Sequence, residues 1–240
     1  METLSRIWVY LAQTPLLWLT VTVVVYWCAE RLFRRSGQFP LLNPVLVSVA
    51  ALVAVLALSE TPYRDYFDGA QFVHFLLGPA TVALAVPLRD QAHHLRRYWQ
   101  PITLALLAGS TTGVVSALAL GWLLGLSPET LLSLLPKSVT TPIAMGISEQ
   151  VGGLPSLTAV LVILTGITGA VLGIPLLIAL GLRDQPVAKG FAVGVAAHGI
   201  GTARAFQHSD QAGAFAGLAM GLNGALSALL VPLFAWLAGY

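Results

Sequence analysis

The sequence predicts an all-α polytopic membrane protein with about seven to eight membrane segments, some of them broken or re-entrant. Three observations lead there. Of 240 residues, 57% are hydrophobic and only 9% are charged, with a mean hydropathy of +0.82; a soluble domain carries roughly 25% charged residues. Asp, Glu, Lys and Arg are missing from residues 7–29, 36–59, 69–88, 98–128, 150–182 and 211–240, and about 20 apolar residues suffice to cross a bilayer core. These runs also lack the alternating polarity of barrel strands.

Taken in order, spans are expected near 8–28, 41–59, 101–125, 156–181 and 212–237, all within a single transmembrane domain covering 1–240. Only Arg6 precedes the first run, whereas Arg31, Arg34 and Arg35 follow it. That flank fits a retained span with a cytoplasmic C-terminal end rather than a cleaved signal. Cys28, the only cysteine, is expected as a small buried hydrophobe, and alone it excludes an intrachain disulfide and a Cys-based metal site. The positive-inside rule places the loops bearing Arg31, Arg34, Arg35 and Arg89, Arg96, Arg97 in the cytoplasm. Residues 60–68, with Glu60, Asp65 and Asp68, then read as an outer loop. Arg183 and Lys189 read as a third cytoplasmic loop, provided the segment before them does not cross.

Segments 70–88, 131–149 and 188–206 are apolar but interrupted. Gly78 and Pro79 break the first, Pro136 and Pro142 the second, Gly199 and Gly201 the third. Proline removes a backbone donor and clashes with the preceding turn, and non-helical backbone at membrane depth survives only inside protein or beside a wet cavity. Gly78-Pro79-Ala80-Thr81 is loosely similar to Thr141-Pro142-Ile143-Ala144, and a proline-initiated span follows each. This faint repeat leaves an inverted arrangement open and points to the interrupted segments as a binding site. Glycines four residues apart (Gly109/Gly113, Gly121/Gly125, Gly169/Gly173, Gly213/Gly217/Gly221) suit close helix packing.

Lys137 stands between Pro136 and the hydroxyls of Ser138, Thr140 and Thr141. An intramembrane cation costs about 2.5–3.5 kcal/mol by insertion scales, so it needs a partner or a substrate unless it snorkels from a loop end. Freed amides and hydroxyls beside a cation suit a carboxylate. A second cluster, His198-Gly199-Ile200-Gly201-Thr202-Ala203-Arg204, offers a titratable imidazole for proton coupling and a guanidinium that grips carboxylates; its structural alternative is a turn with Arg204 at the surface. Thr81 adds a hydroxyl in the first interrupted segment, where His74 reads as a core hydrogen-bonding residue. Enzyme motifs fail: the Pro-Lys-Ser run lacks the glycines of a phosphate loop, and no HExxH, CxxC or GxSxG pattern occurs. The net charge of +2 gives no reason to expect nucleic acid. No cofactor and no metal are expected.

Four stretches, residues 75–88, 136–145, 152–159 and 197–205, resemble in order and spacing the hallmarks of the LrgB/CidB family of antiholin-like and holin-like membrane proteins. The resemblance runs from about Leu41 to the C-terminus. It implies a link to murein hydrolase control and autolysis beside a small LrgA/CidA-type partner. It also implies kinship with the plastid glycolate/glycerate transporter and with pyruvate uptake. The combined expectation is a secondary carrier for small monocarboxylates in the bacterial inner membrane, multi-pass and homo-oligomeric. Lys137, Ser138, Thr140, Thr141, Thr81, Thr202 and Arg204 would bind substrate and His198 would couple protons. The alternative is a holin-modulating protein that works through its partner.

Overall fold

The computed structural model describes residues 15–37, 39–76, 79, 82–83, 89 and 96–240. They belong to two compact units, Met1–Ala83 and Leu84–Tyr240. All regular structure among the described residues is helical. Among the described residues four helices are long and apolar enough to cross a membrane.

In the first unit, α1 (Pro15–Arg35) packs with α2 (Pro44–Leu58) and α3 (Tyr63–Phe75). Asn43 starts α2, its side chain accepting from the amides of Val45 and Leu46, while Pro44 takes the first helical position where no amide partner is needed. Trp18 is fully buried and meets Tyr66 edge-on at 5.8 Å between ring centroids. Gly69 lets α3 rest against the Pro15 carbonyl, where a Cβ would not fit. Three expectations change here. Cys28 is exposed rather than buried. Arg64, Asp65 and Asp68 belong to a helix rather than a loop. The helix around residue 70 begins upstream at Tyr63, while Gly78, Thr81, the side chain of His74 and most of 77–88 lie outside the described residues.

The second unit holds α4 (Trp99–Leu123), α5 (Pro128–Leu134), α6 (Thr141–Val151), α7 (Pro155–Ala179), α8 (Pro186–His208) and α9 (Asp210–Leu237). Helices α5 and α6 form a hairpin. Thr158 Oγ1 on α7 lies within hydrogen-bond distance of both the Ser133 carbonyl of α5 (3.0 Å) and Ser148 Oγ of α6 (2.7 Å), its single proton serving one of them, and the Leu154 amide donates to Ser133 Oγ at 2.7 Å. Gly152, at φ +86°, ends α6 in a left-handed cap, and Gly153 has no room for a Cβ against Ser133 and Ser148. The Gly-Gly-Leu-Pro-Ser stretch is therefore the clasp closing this hairpin onto α7.

Helix α8 is a second hairpin. A straight helix of its length would separate Lys189 from His208 by roughly 28 Å at 1.5 Å per residue, yet Lys189 Nζ lies 2.8 Å from His208 Nε2. The chain reverses at Ala197 (φ −130°, ψ 17°) and His198 (φ 42°, ψ −134°). The break was expected at Gly199 and Gly201; both are helical, and Gly201 instead provides room for Val193 and Ala197 of the opposite arm. Lys189, expected in a loop, is 1% exposed inside the hairpin's open end, donating also to the Arg183 carbonyl. Gly190 and Gly194 lie directly on the backbone of Ala212 and Ala216, so the entering arm of α8 runs parallel to α9 at the closest approach two helices allow.

The hairpins enter the bundle from opposite ends. Along α9, the second hairpin packs at Ala212 and Ala216, both breaks meet Asn223, and the first hairpin packs at Gly224 and Val231. Helix α4 repeats the order, with Gly109 facing Val195, Gly113 facing Ser138 and Gly121 facing Leu131.

Candidate functional site

A cavity of about 1240 Å³ lies between α4, α7 and the entering arm of α8. Its mouth is formed by the starts of three helices, at Tyr98, Gln185 to Val187 and Gln211. Its floor is the break of the first hairpin, Leu135 to Ser138, with Asn223 and Ser227. Ser110, Thr112 and Ser116 of α4 face Thr165 and Thr168 of α7 across it, among largely apolar walls.

The floor carries the charge. Pro136 is buried, and the chain leaves helical geometry until Pro142 restarts it within the first turn of α6. Lys137 is half-buried, and its ammonium donates to Ser138 Oγ at 3.4 Å. Among the described lining residues Lys137 is the one cation and Asp184, at the mouth, the one anion. Among the described residues no carboxylate pairs with Lys137. The site can therefore offer an ammonium and a hydroxyl to a negative group that descends past apolar walls.

Sequence reasoning placed eight groups at the site, and the structure separates them. Lys137 and Ser138 line the cavity. Thr140 and Thr141 flank the start of α6 but are not part of the lining. His198 is buried against α7, where its Nε2–H donates to the Val162 carbonyl at 3.0 Å. Thr202 is buried as well and donates to the carbonyl of His198. Arg204 sits on the returning arm of α8, with Nη1 donating to Gln207 Oε1 at 3.2 Å. Thr81 lies outside the described residues.

Asn223 was missed. It is 1% exposed in the middle of α9, where Nδ2 donates to the carbonyls of Val195 (3.0 Å) and Ser138 (3.3 Å). Its Oδ1 accepts from Ser110 (2.6 Å) and Ser227 (3.3 Å). A signal was present in the sequence: the chain has only two asparagines, and this one stands inside a run of thirty uncharged residues, where a polar side chain is costly unless partnered.

The sequence model of the LrgB-like family matches residues 22–237. The uncharacterized protein YxaC of Bacillus subtilis is 36% identical over 90% of this chain and 94% of its own length. Another B. subtilis protein, YwbG, also uncharacterized, is 38% identical over 89% and 94%. The antiholin-like protein LrgB of Bacillus mycoides is 32% identical over 92% and 96%. No solved structure matches the chain.

Proposed function

The chain belongs to the LrgB-like family of membrane proteins, and within it we propose a secondary carrier for small monocarboxylates such as pyruvate, lactate, glycolate or glycerate. The observation that carries this reading is Lys137. A half-buried ammonium with no carboxylate partner among the described residues stands beside a hydroxyl at the floor of the cavity. A lone cation at that depth is costly, and a bound carboxylate would offset the cost. The vestibule far exceeds a three-carbon anion, so selectivity resides at the floor rather than in the walls.

Two hairpins entering from opposite ends, each following a long apolar helix (α4, α7), make an inverted pair. This is the arrangement in which alternating access works about a fixed central site. The spans would include α1, α4, α7 and α9, with the two hairpins re-entrant, in the bacterial inner membrane. Arg89, Arg96 and Arg97 precede α4 and Arg183 precedes α8, whereas turns 124–127 and 152–154 at the other end contain no Lys or Arg. By the positive-inside rule the cavity opens to the cytoplasm.

Purified protein in liposomes should show saturable counterflow of labelled pyruvate, at least about tenfold weaker in Lys137→Gln, with no leak of large dyes. A second reading is favoured by the relatives' names: an antiholin-like modulator acting with a small LrgA/CidA-type partner. Dye leak without saturable flux would support that reading and end the carrier one. Counterflow that starts only when the partner is added would make the two chains one carrier, with this chain supplying the site.

A further inference from the structure

Asn223 does more than satisfy its own polarity. Carbonyls in the last turn before a helix break lose the amide that would have bonded them. Val195 precedes the second hairpin's break by two residues, and Ser138 lies inside the first hairpin's non-helical stretch. One carboxamide donates to both carbonyls, and its oxygen accepts from hydroxyls on α4 and on its own helix. All four bonding positions of the amide are thus used. The bonds to its two faces fix which end is nitrogen, since carbonyls can only accept. Ser138 is also the hydroxyl that Lys137 contacts, so the same residue touches the charged floor and, through Val195, the neighbourhood of His198.

We infer that Asn223 is the positioning residue that holds the two helix breaks in register, so that the Lys137–Ser138 site and the second hairpin move as one body. The transport part of this inference rests on the carrier reading; the structural part does not. In a Cys28→Ser background, spin labels at Gly146→Cys on α6 and Ala203→Cys on the returning arm of α8 report the distance between hairpins. Both positions are exposed, and a side chain at 146 meets open space. Electron-electron resonance without ligand should give one narrow distance in the parent. It should give a distribution at least about twofold broader in Asn223→Leu, which removes all four bonds. Asn223→Asp, of equal size, keeps an acceptor for both hydroxyls but loses both donors; it should broaden similarly and decides the matter should the leucine variant not fold. Counterflow should fall about tenfold or more in either folded variant. Narrow distances in the folded variants, or counterflow at the parent's rate beside a broadened distribution, would overturn the inference. A parent that binds no pyruvate would overturn the carrier reading instead, leaving the distances alone to judge the tether.

Discussion

Residues 128–151 and 186–208 both enter the bundle as a helix, break, and return, yet the two breaks are made of different material. The first is a stretch from Leu135 to Thr140 bounded by Pro136 and Pro142, and it presents Lys137 and Ser138 to the cavity. The second is a two-residue reversal at Ala197 and His198. It buries both side chains, and its only ionisable group is engaged by the Val162 carbonyl. Their surroundings differ too. The second hairpin lies backbone against backbone on α9 through Gly190 and Gly194, while the outer face of the first is open at Gly146. A break that lines a cavity is suited to binding; one sealed on all sides is suited to holding shape.

Charge substitutions test that division most severely. Lys137→Gln should lower pyruvate uptake by roughly 10- to 150-fold, since a charge-assisted bond contributes about 1.5–3 kcal/mol. Arg204→Gln, on the sealed hairpin and outside the cavity lining, should stay within about threefold. Initial rates in proteoliposomes at equal protein density decide. Equal losses at the two positions would erase the distinction between the hairpins and return Arg204 to the site.

Packing should separate them next. Gly194→Ala drives a methyl into the Ala216 backbone, where no side chain can move aside. Overpacking of this kind costs about 1–3 kcal/mol, read as earlier thermal unfolding in detergent. If Gly194→Ala unfolds like the parent, the close contact between α8 and α9 is not the anchor described.

The contrast also shows what a sequence reveals. Proline and glycine rules located both breaks, because those residues act locally on the backbone. They placed the second break at Gly199, whereas the reversal falls one step earlier on His198, a residue that rarely takes positive φ. Charge counting made Lys189 a loop residue, since nothing in the sequence shows that the chain returns His208 to its side. The contacts of Thr158 with Ser133 and Ser148 were not legible for the same reason; they join separate helices. Long-range pairing produced Asn223 as the hub, and only its isolation in an apolar run hinted at it. Of the anion site, Lys137 and Ser138 were legible because the cost of an intramembrane cation is a local fact.

His198 tests the sealed break more finely. Its φ of 42° with ψ of −134° is the turn geometry that glycine favours. His198→Ala keeps that strain and loses the bond to Val162, costing about 2 kcal/mol. His198→Gly loses the same bond but relieves the backbone, so it should unfold later than the alanine variant. Uptake in the glycine variant should keep the parent's pH profile, because the imidazole is not part of the cavity lining. A flattened profile would restore His198 to proton coupling.

The smallest effect is expected on the open face of the first hairpin. Gly146 lies within α6, where a Cβ would meet nothing within 4 Å. Glycine inside a helix costs roughly 0.5–1 kcal/mol relative to alanine, mainly through the freedom it gives the unfolded chain. Gly146→Ala should therefore stabilise the protein by about that amount, opposite in sign to Gly194→Ala. Uptake should be unchanged, because the face is turned away from Lys137's cavity. The measurement has a second use. If Gly146→Ala instead destabilises, something covers this face in the assembled protein, and a second copy or a small partner chain would be docked on the first hairpin. The change in unfolding temperature would then depend on protein concentration or on that partner's presence, which a dilution series detects.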